Sequence, residues 1–193
     1  VLIPNSHPAP VEYAKQMGIQ GVVFSGGNNF SSVVNQLNNA PINNVTENQD
    51  VAPERDETEL KLLEEAPHNN WPVIGVCRGM QLLNIFYGGR LSSFKDHVAT
   101  QHALTREVEM IELFPATFDD KVNSYHDFGI IEDDLSDKLR VLARVDNVVE
   151  ACIHTKHKQL GIMWHPERNV PFSVNDIALF RDFFGNNGMN LDR

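Results

Sequence analysis

Residues Pro72-Val73-Ile74-Gly75-Val76-Cys77-Arg78-Gly79-Met80-Gln81-Leu82-Leu83-Asn84-Ile85-Phe86-Tyr87-Gly88-Gly89 decide the fold. Val73 to Val76 is an unbroken apolar run behind a proline, the pattern of a strand buried on both faces. It passes at once into a second apolar stretch. There Met80, Leu83 and Tyr87 fall on one side of a helix, and Leu82, Ile85 and Phe86 on the other. A helix apolar nearly all round is a buried helix, and Gly88-Gly89 closes it. A buried strand feeding a buried helix is the repeating unit of parallel α/β sheets.

Upstream, Gly21-Val22-Val23-Phe24 repeats the buried-strand pattern and stops at Ser25-Gly26-Gly27. Val1–Pro4 reads as a further short strand, and Glu12–Met17 as a helix after Pro10. Glu54–Ala66 is an amphipathic helix whose apolar face carries Leu60, Leu62 and Leu63. Between them, Asn28 to Pro53 is polar, rich in asparagine and without periodicity, which marks a long loop. Downstream the pattern shifts to short strands at Thr105–Leu113, Leu139–Arg144, Val148–His154 and Gln159–Trp164, with a closing helix at Ile177–Phe184. The expected fold is therefore α/β, with a mainly parallel central sheet and C-terminal β-hairpins, in one domain over residues 1–193.

Composition narrows the partners. Lys and Arg number 16 against 26 Asp and Glu, a net charge of −10 with no basic cluster, so nucleic acid is not an expected partner. No apolar run approaches the ~20 residues of a membrane span, and no signal peptide is visible. Two cysteines make no disulfide framework, so a reducing, cytoplasmic setting is expected.

The chemistry centres on Gly75-Val76-Cys77-Arg78-Gly79. A nucleophile at a sharp strand-to-helix turn is held in strained backbone, and its neighbours two residues away must be small. The helix N-terminus offers free N–H groups, an arrangement expected to favour thiolate and lower the Cys77 pKa. The Arg78 N–H points toward an oxyanion formed at Cys77, and Gly26-Gly27 can bring a second backbone donor. His165 ends the apolar strand Gly161-Ile162-Met163-Trp164, and strand ends collect active-site groups. In extended backbone Glu167 projects to the same side as His165 and can fix its ring. Other candidates are weaker. His154 and His157 lack a third metal ligand and read as loop residues, while Cys152 reads as core. Glu150 reads as structural, and His97 and His102 as candidate neighbours of a pocket. Arg55-Asp56 is open between a substrate contact and a surface pair.

Gly75-Val-Cys-Arg-Gly-Met-Gln81 together with Gly161-Ile-Met-Trp-His-Pro-Glu167 resembles the class I glutamine amidotransferase superfamily. Ser25-Gly26-Gly27, Arg55-Asp56 and Asn123-Ser-Tyr-His126 narrow the resemblance to its γ-glutamyl hydrolase, or peptidase C26, branch. The resemblance implies a flavodoxin-like three-layer fold and a Cys77-His165-Glu167 triad with no cofactor and no metal. It implies an oxyanion hole from Gly27 and Arg78, with Gly26, Gln81, Ser124, Tyr125 and His126 around the glutamyl head group. The implied activity is hydrolysis of a γ-glutamyl amide through a glutamyl-thioester, with a small-molecule substrate. The Gly-Ile-Met-Trp-His-Pro-Glu-Arg ending leans toward γ-glutamyl nucleotide amidates of surface-polysaccharide pathways. The alternative is a glutaminase subunit that passes ammonia to a synthetase partner. Such families open with a strand and helix ahead of the position of Val1, so that unit is expected to be missing or divergent here.

Overall fold

The computed structural model describes residues 1–31, 50–94, 98–107 and 118–185. Most of the Asn-rich loop, His97 and the second half of the expected strand at Thr105–Leu113 lie outside the described residues. Four helices are described: α1 (Pro10–Gln16), α2 (Pro53–Glu65), α3 (Arg78–Phe86) and α4 (Val174–Phe184). The strands are β1 (Val22–Phe24), β2 (Val73–Val76), β3 (Ser92–Ser93), β4 (Val98–Ala103), β5 (Thr105–Arg106), β6 (Lys121–Tyr125), β7 (Phe128–Gly129), β8 (Leu139–Val145), β9 (Val148–His154) and β10 (Gln159–Ile162).

The central sheet has six strands in the order β1-β2-β10-β9-β8-β5. β1, β2 and β10 are parallel to one another, and from β10 onward every pairing is antiparallel. The class is the expected α/β one, and its parallel strands carry the elbow. The C-terminal hairpins are part of the same sheet, as its antiparallel half. Two small ribbons, β3–β7 and β4–β6, stand beside it.

Side-chain alternation along β2 separates two apolar layers. Val73 joins Val11 and Ala14 of α1, Leu62 and Leu63 of α2, and Leu82 and Leu83 of α3. Ile74 and Val76 join Leu179 and Phe183 of α4. Helices thus cover both faces, which is why β2 and β10 are buried at every position. No helix among the described residues is long and apolar enough to cross a membrane.

Two sequence expectations give way. Val1–Pro4 is not a strand: Val1 is 75% exposed and Leu2 94%, with no sheet partner among the described residues to use their apolar side chains. Conversely, β4 and β6 carry the sequences Val-Ala-Thr-Gln-His-Ala and Lys-Val-Asn-Ser-Tyr. These polar strands pair with each other across a ribbon rather than entering the core sheet. Their apolar signal is correspondingly faint.

Candidate active site

Cys77 sits at φ 50°, ψ −103°, between β2 and α3. A residue with a β-carbon is strained at positive φ, and the surroundings enforce it. The Cys77 N–H donates to Ile162 O of β10 at 2.7 Å. Glycine is required on both sides. A β-carbon at residue 75 would come within 2.7 Å of Met80 N, and one at residue 79 within 2.9 Å of the Phe24 carbonyl carbon. The elbow is therefore packed against α3 on one side and β1 on the other.

β2 and β10 run in register with Val76 opposite Ile162, so Cys77 and His165 leave adjacent parallel strands at the same end. The stretch after β10 turns into a short 3₁₀ segment, Pro166–Arg168. This brings Glu167 back to His165, with Nδ1 and Oε1 2.6 Å apart. A carboxylate only accepts, so Nδ1 carries the proton and Nε2 is left as the basic nitrogen of the neutral ring. Glu167 is the outer member, with its side chain 58% exposed against 6% for His165. Gly26 packs close against the ring: a β-carbon there would sit 2.5 Å from His165 Cε1. The Tyr125 ring meets the imidazole edge-on, with centroids 5.9 Å apart.

The acidity of Cys77 differs from the sequence expectation. Burial pushes its thiol up to about 11, against the pull of the Arg78 N–H, and the charges of Glu167 and Glu150 push the same way as burial. Cys77 is only 6% exposed. One helix-terminal N–H does not offset that loss of water. Burial thus favours the thiol form, which would need a neighbouring base in order to attack.

The glycine loop is braced from behind. Arg55 Nη2 donates to Ser25 O at 2.7 Å and Gly26 O at 3.1 Å, while its Nε donates to Glu59 Oε1 at 2.7 Å. Gly27 takes φ 152°, and a β-carbon there would run into the Arg55 guanidinium. The Arg78 side chain turns away from its own N–H and is buried in ion pairs with Asp56 and Glu59. It also lies 4.4 Å from the Phe30 ring centroid. Asp56 is fully buried and accepts from Ser31 N at 2.7 Å. Arg55-Asp56 is thus not a surface pair but an internal brace joining the glycine loop to the first turn of α3.

The remaining candidates separate by burial. Gln81 Nε2 donates to Phe128 O at 2.7 Å, and His126 Nδ1 meets the same carbonyl at 3.0 Å. Ser124 is fully buried and His126 nearly so. Tyr125 is open to solvent, with the Arg168 guanidinium 3.9 Å from its ring centroid. Asn123 gains a role that its sequence context does not assign. It holds His165 by both backbone groups, accepting from His165 N at 2.8 Å and donating to His165 O at 2.9 Å. Trp164 is fixed by a 2.9 Å hydrogen bond to Asp176 of α4. Nothing local in the sequence marks Asn123 or Asp176, because their partners lie on other elements. Beside the site, Ser25, Val76, Glu167 and Phe180 help line a cavity of about 500 Å³.

The peptidase C26 family model matches residues 1–167. The chain belongs to the peptidase C26 family. The γ-glutamyl-CDP-amidate hydrolase of Campylobacter jejuni is 25% identical over 182 residues, covering 94% of this chain and 78% of that protein. NtpR of Enterococcus hirae is 35% identical over 152 residues, 68% of this chain. The γ-glutamyl-γ-aminobutyrate hydrolase PuuD of Escherichia coli is 32% identical over 156 residues, 69% of this chain. The chain spans 61% of the length of NtpR and of PuuD. Among solved structures, a protein from Thermoplasma acidophilum described as a candidate GMP synthase component superposes with a TM-score of 0.67 at 18% identity. The superposition covers 96% of this chain and 79% of that one, and it shows the shared flavodoxin-like fold. In this peptidase C26 member the elbow and the His165–Glu167 pair converge on one end of the parallel strands.

Proposed function

We propose that the chain hydrolyses γ-glutamyl amide bonds of small molecules, with Cys77 as nucleophile, His165 as general base and acid, and Glu167 orienting the imidazole. The observation that carries this reading is the 2.6 Å His165–Glu167 contact, set against Gly26 at the strand end where Cys77 is held at positive φ. A thiol pushed up to about 11 is scarcely ionised at neutral pH. His165 Nε2 therefore takes the thiol proton as sulfur attacks the γ-carbonyl. The carbonyl oxygen becomes an oxyanion, met by the backbone N–H groups of Gly27 and Arg78. On collapse the C–N bond breaks, His165 returns the proton to the leaving nitrogen, and an amine or ammonia departs. Water, deprotonated by His165, then splits the glutamyl-thioester to glutamate and regenerates the thiol.

The glutamyl head group lies over Gly26, Gln81 and the Ser124-Tyr125-His126 segment in this reading, with Tyr125 at the open edge. The substrate is a γ-glutamyl nucleotide amidate or related conjugate, a choice supported by the 94% of this chain aligned with the Campylobacter jejuni hydrolase. The test is glutamate release by the purified chain from glutamine, γ-glutamyl-amines and γ-glutamyl nucleotide amidates. Release from one of these without any added protein supports the stand-alone hydrolase. Activity with glutamine that emerges only when a synthetase is added points instead to an ammonia-delivering role.

A further inference from the structure

His102 of β4, His126 just after β6 and Glu150 of β9 converge from three parts of the fold. Their donor atoms all lie within 4.8 Å of one another, and no other group of this kind occurs among the described residues. His102 Nδ1 is 2.9 Å from Glu150 Oε1, and His126 Nε2 is 3.6 Å from the same oxygen. We propose that His102 Nδ1, His126 Nε2 and the Glu150 carboxylate form a site for one divalent transition-metal ion of the zinc type.

Three observations carry the assignment. The spacing is the first: donors about 2.0–2.1 Å from a tetrahedral zinc stand roughly 3.3 Å apart, between the two contacts made by Glu150. The second is the tautomer of His126. Its Nδ1 faces the Phe128 carbonyl at 3.0 Å, and a carbonyl only accepts, so Nδ1 carries a proton. That leaves Nε2 of the neutral ring presenting a lone pair toward a carboxylate oxygen, an arrangement that a cation between them relieves. A metal-bound histidine ordinarily hands its far N–H to a carbonyl, carboxylate or other oxygen in this manner. His102 fits the same pattern, with Nε2 3.3 Å from Thr100 Oγ1. The third is charge. Glu150 is fully buried, and its Oε2 has no hydrogen-bond partner among the described residues. A fully buried carboxyl group with an unused oxygen calls for a compact positive charge beside it. Two imidazoles and a carboxylate with a further position open suit zinc or cobalt better than magnesium or calcium.

The ion would act as a clip. β4 and β6 form a separate ribbon, and β6 carries Asn123, which grips His165. Glu150 belongs to the central sheet. Metal bridging the ribbon to β9 fixes the wall of the site without entering the hydrolytic steps, and the proposal stands whichever amide is cleaved.

The test uses the whole chain carrying Cys77→Ala, because a thiol beside an imidazole can itself take up zinc. After EDTA treatment and dialysis against zinc, metal per chain is measured by elemental analysis. Cobalt is titrated separately, following its visible d–d absorption, and the thermal midpoint is recorded with and without zinc. One zinc per chain, a visible cobalt band and a raised midpoint are expected. Glu150→Gln and His102→Asn should each weaken binding at least ~10-fold. If Glu150→Gln fails to fold, His102→Asn, at a side chain still 10% exposed, decides the matter. The proposal is overturned if the chain retains less than about a tenth of an equivalent, or if a folded variant binds zinc as tightly as its parent.

Discussion

The two cysteines stand in the two halves of one sheet. Cys77 ends β2 in the parallel half, and Cys152 lies within β9 in the antiparallel half. Both are buried, and burial raises both thiols, to about 11 for Cys77 and about 12 for Cys152. Acidity therefore does not separate them. Backbone and neighbours do: Cys77 is held at φ 50° beside the Gly26–His165 contact, while Cys152 packs in the core opposite Gly161. On the proposed mechanism, the reactive thiol is set apart by where the chain places a base.

The largest effect expected from that contrast is on turnover. Cys77→Ala should lower kcat/KM for glutamate release by at least ~10⁴-fold while leaving the thermal midpoint near that of the parent. Cys152→Ala should leave kcat/KM within a few-fold and cost about 1 kcal/mol of stability through a small core void, read by urea denaturation. Equal activity loss in both variants would erase the distinction.

Next comes the brace behind the elbow. Asp56 and Glu59 neutralise the buried Arg78 side chain, whose acidity is altered chiefly by burial, which favours its neutral form. Removing one partner leaves a charge stranded in the interior. Asp56→Ala should therefore destabilise the fold by about 3–5 kcal/mol in chemical denaturation. A loss under about 1 kcal/mol would mean that water reaches Arg78.

The sequence announced the elbow side far better than the wall facing it. β2 and α3 are apolar and consecutive, so periodicity alone places Cys77. His165 and Glu167 are two residues apart, and their pairing follows from local backbone. Asn123, Arg55, Glu59, His102 and His126 act across elements, and each carries a polar side chain ordinary for a surface. Their roles depend on how separate strands and helices come together, which the sequence does not show. The same reason explains Val1–Pro4, where apolar content suggested a strand but no neighbour among the described residues hydrogen-bonds to it in a sheet. The expected acidification of Cys77 failed for an energetic reason: desolvation of sulfur outweighs the single N–H at the start of a nine-residue helix.

On the proposed mechanism, orientation of the base is worth less than its presence. Glu167→Gln keeps an acceptor oxygen near Nδ1 but removes the charge that stabilises the imidazolium. Because Glu167 is more than half exposed, water substitutes in part. A fall in kcat of roughly 10²-fold is expected with KM nearly unchanged, measured under saturating substrate. A loss as large as that of Cys77→Ala would make Glu167 a partner in proton transfer rather than a support.

The smallest effect sharpens the comparison between the two thiols. A thiol reacts with an alkylating agent in proportion to its thiolate fraction, which grows tenfold per pH unit below its pKa. With Cys77 pushed up to about 11, its labelling by iodoacetamide should keep climbing from about pH 7 to about pH 10 without a plateau, followed by mass spectrometry of the native chain. Cys152, fully buried and pushed up to about 12, should stay unlabelled over the same range unless the protein unfolds. The sign is set by deprotonation: higher pH favours the reactive form at both positions, and only access divides them. A plateau for Cys77 below about pH 8, lost in His165→Ala, would mean that sulfur and imidazole already exist as thiolate and imidazolium at rest. The proton would then have moved before substrate arrives, and attack would need no general base in its first step.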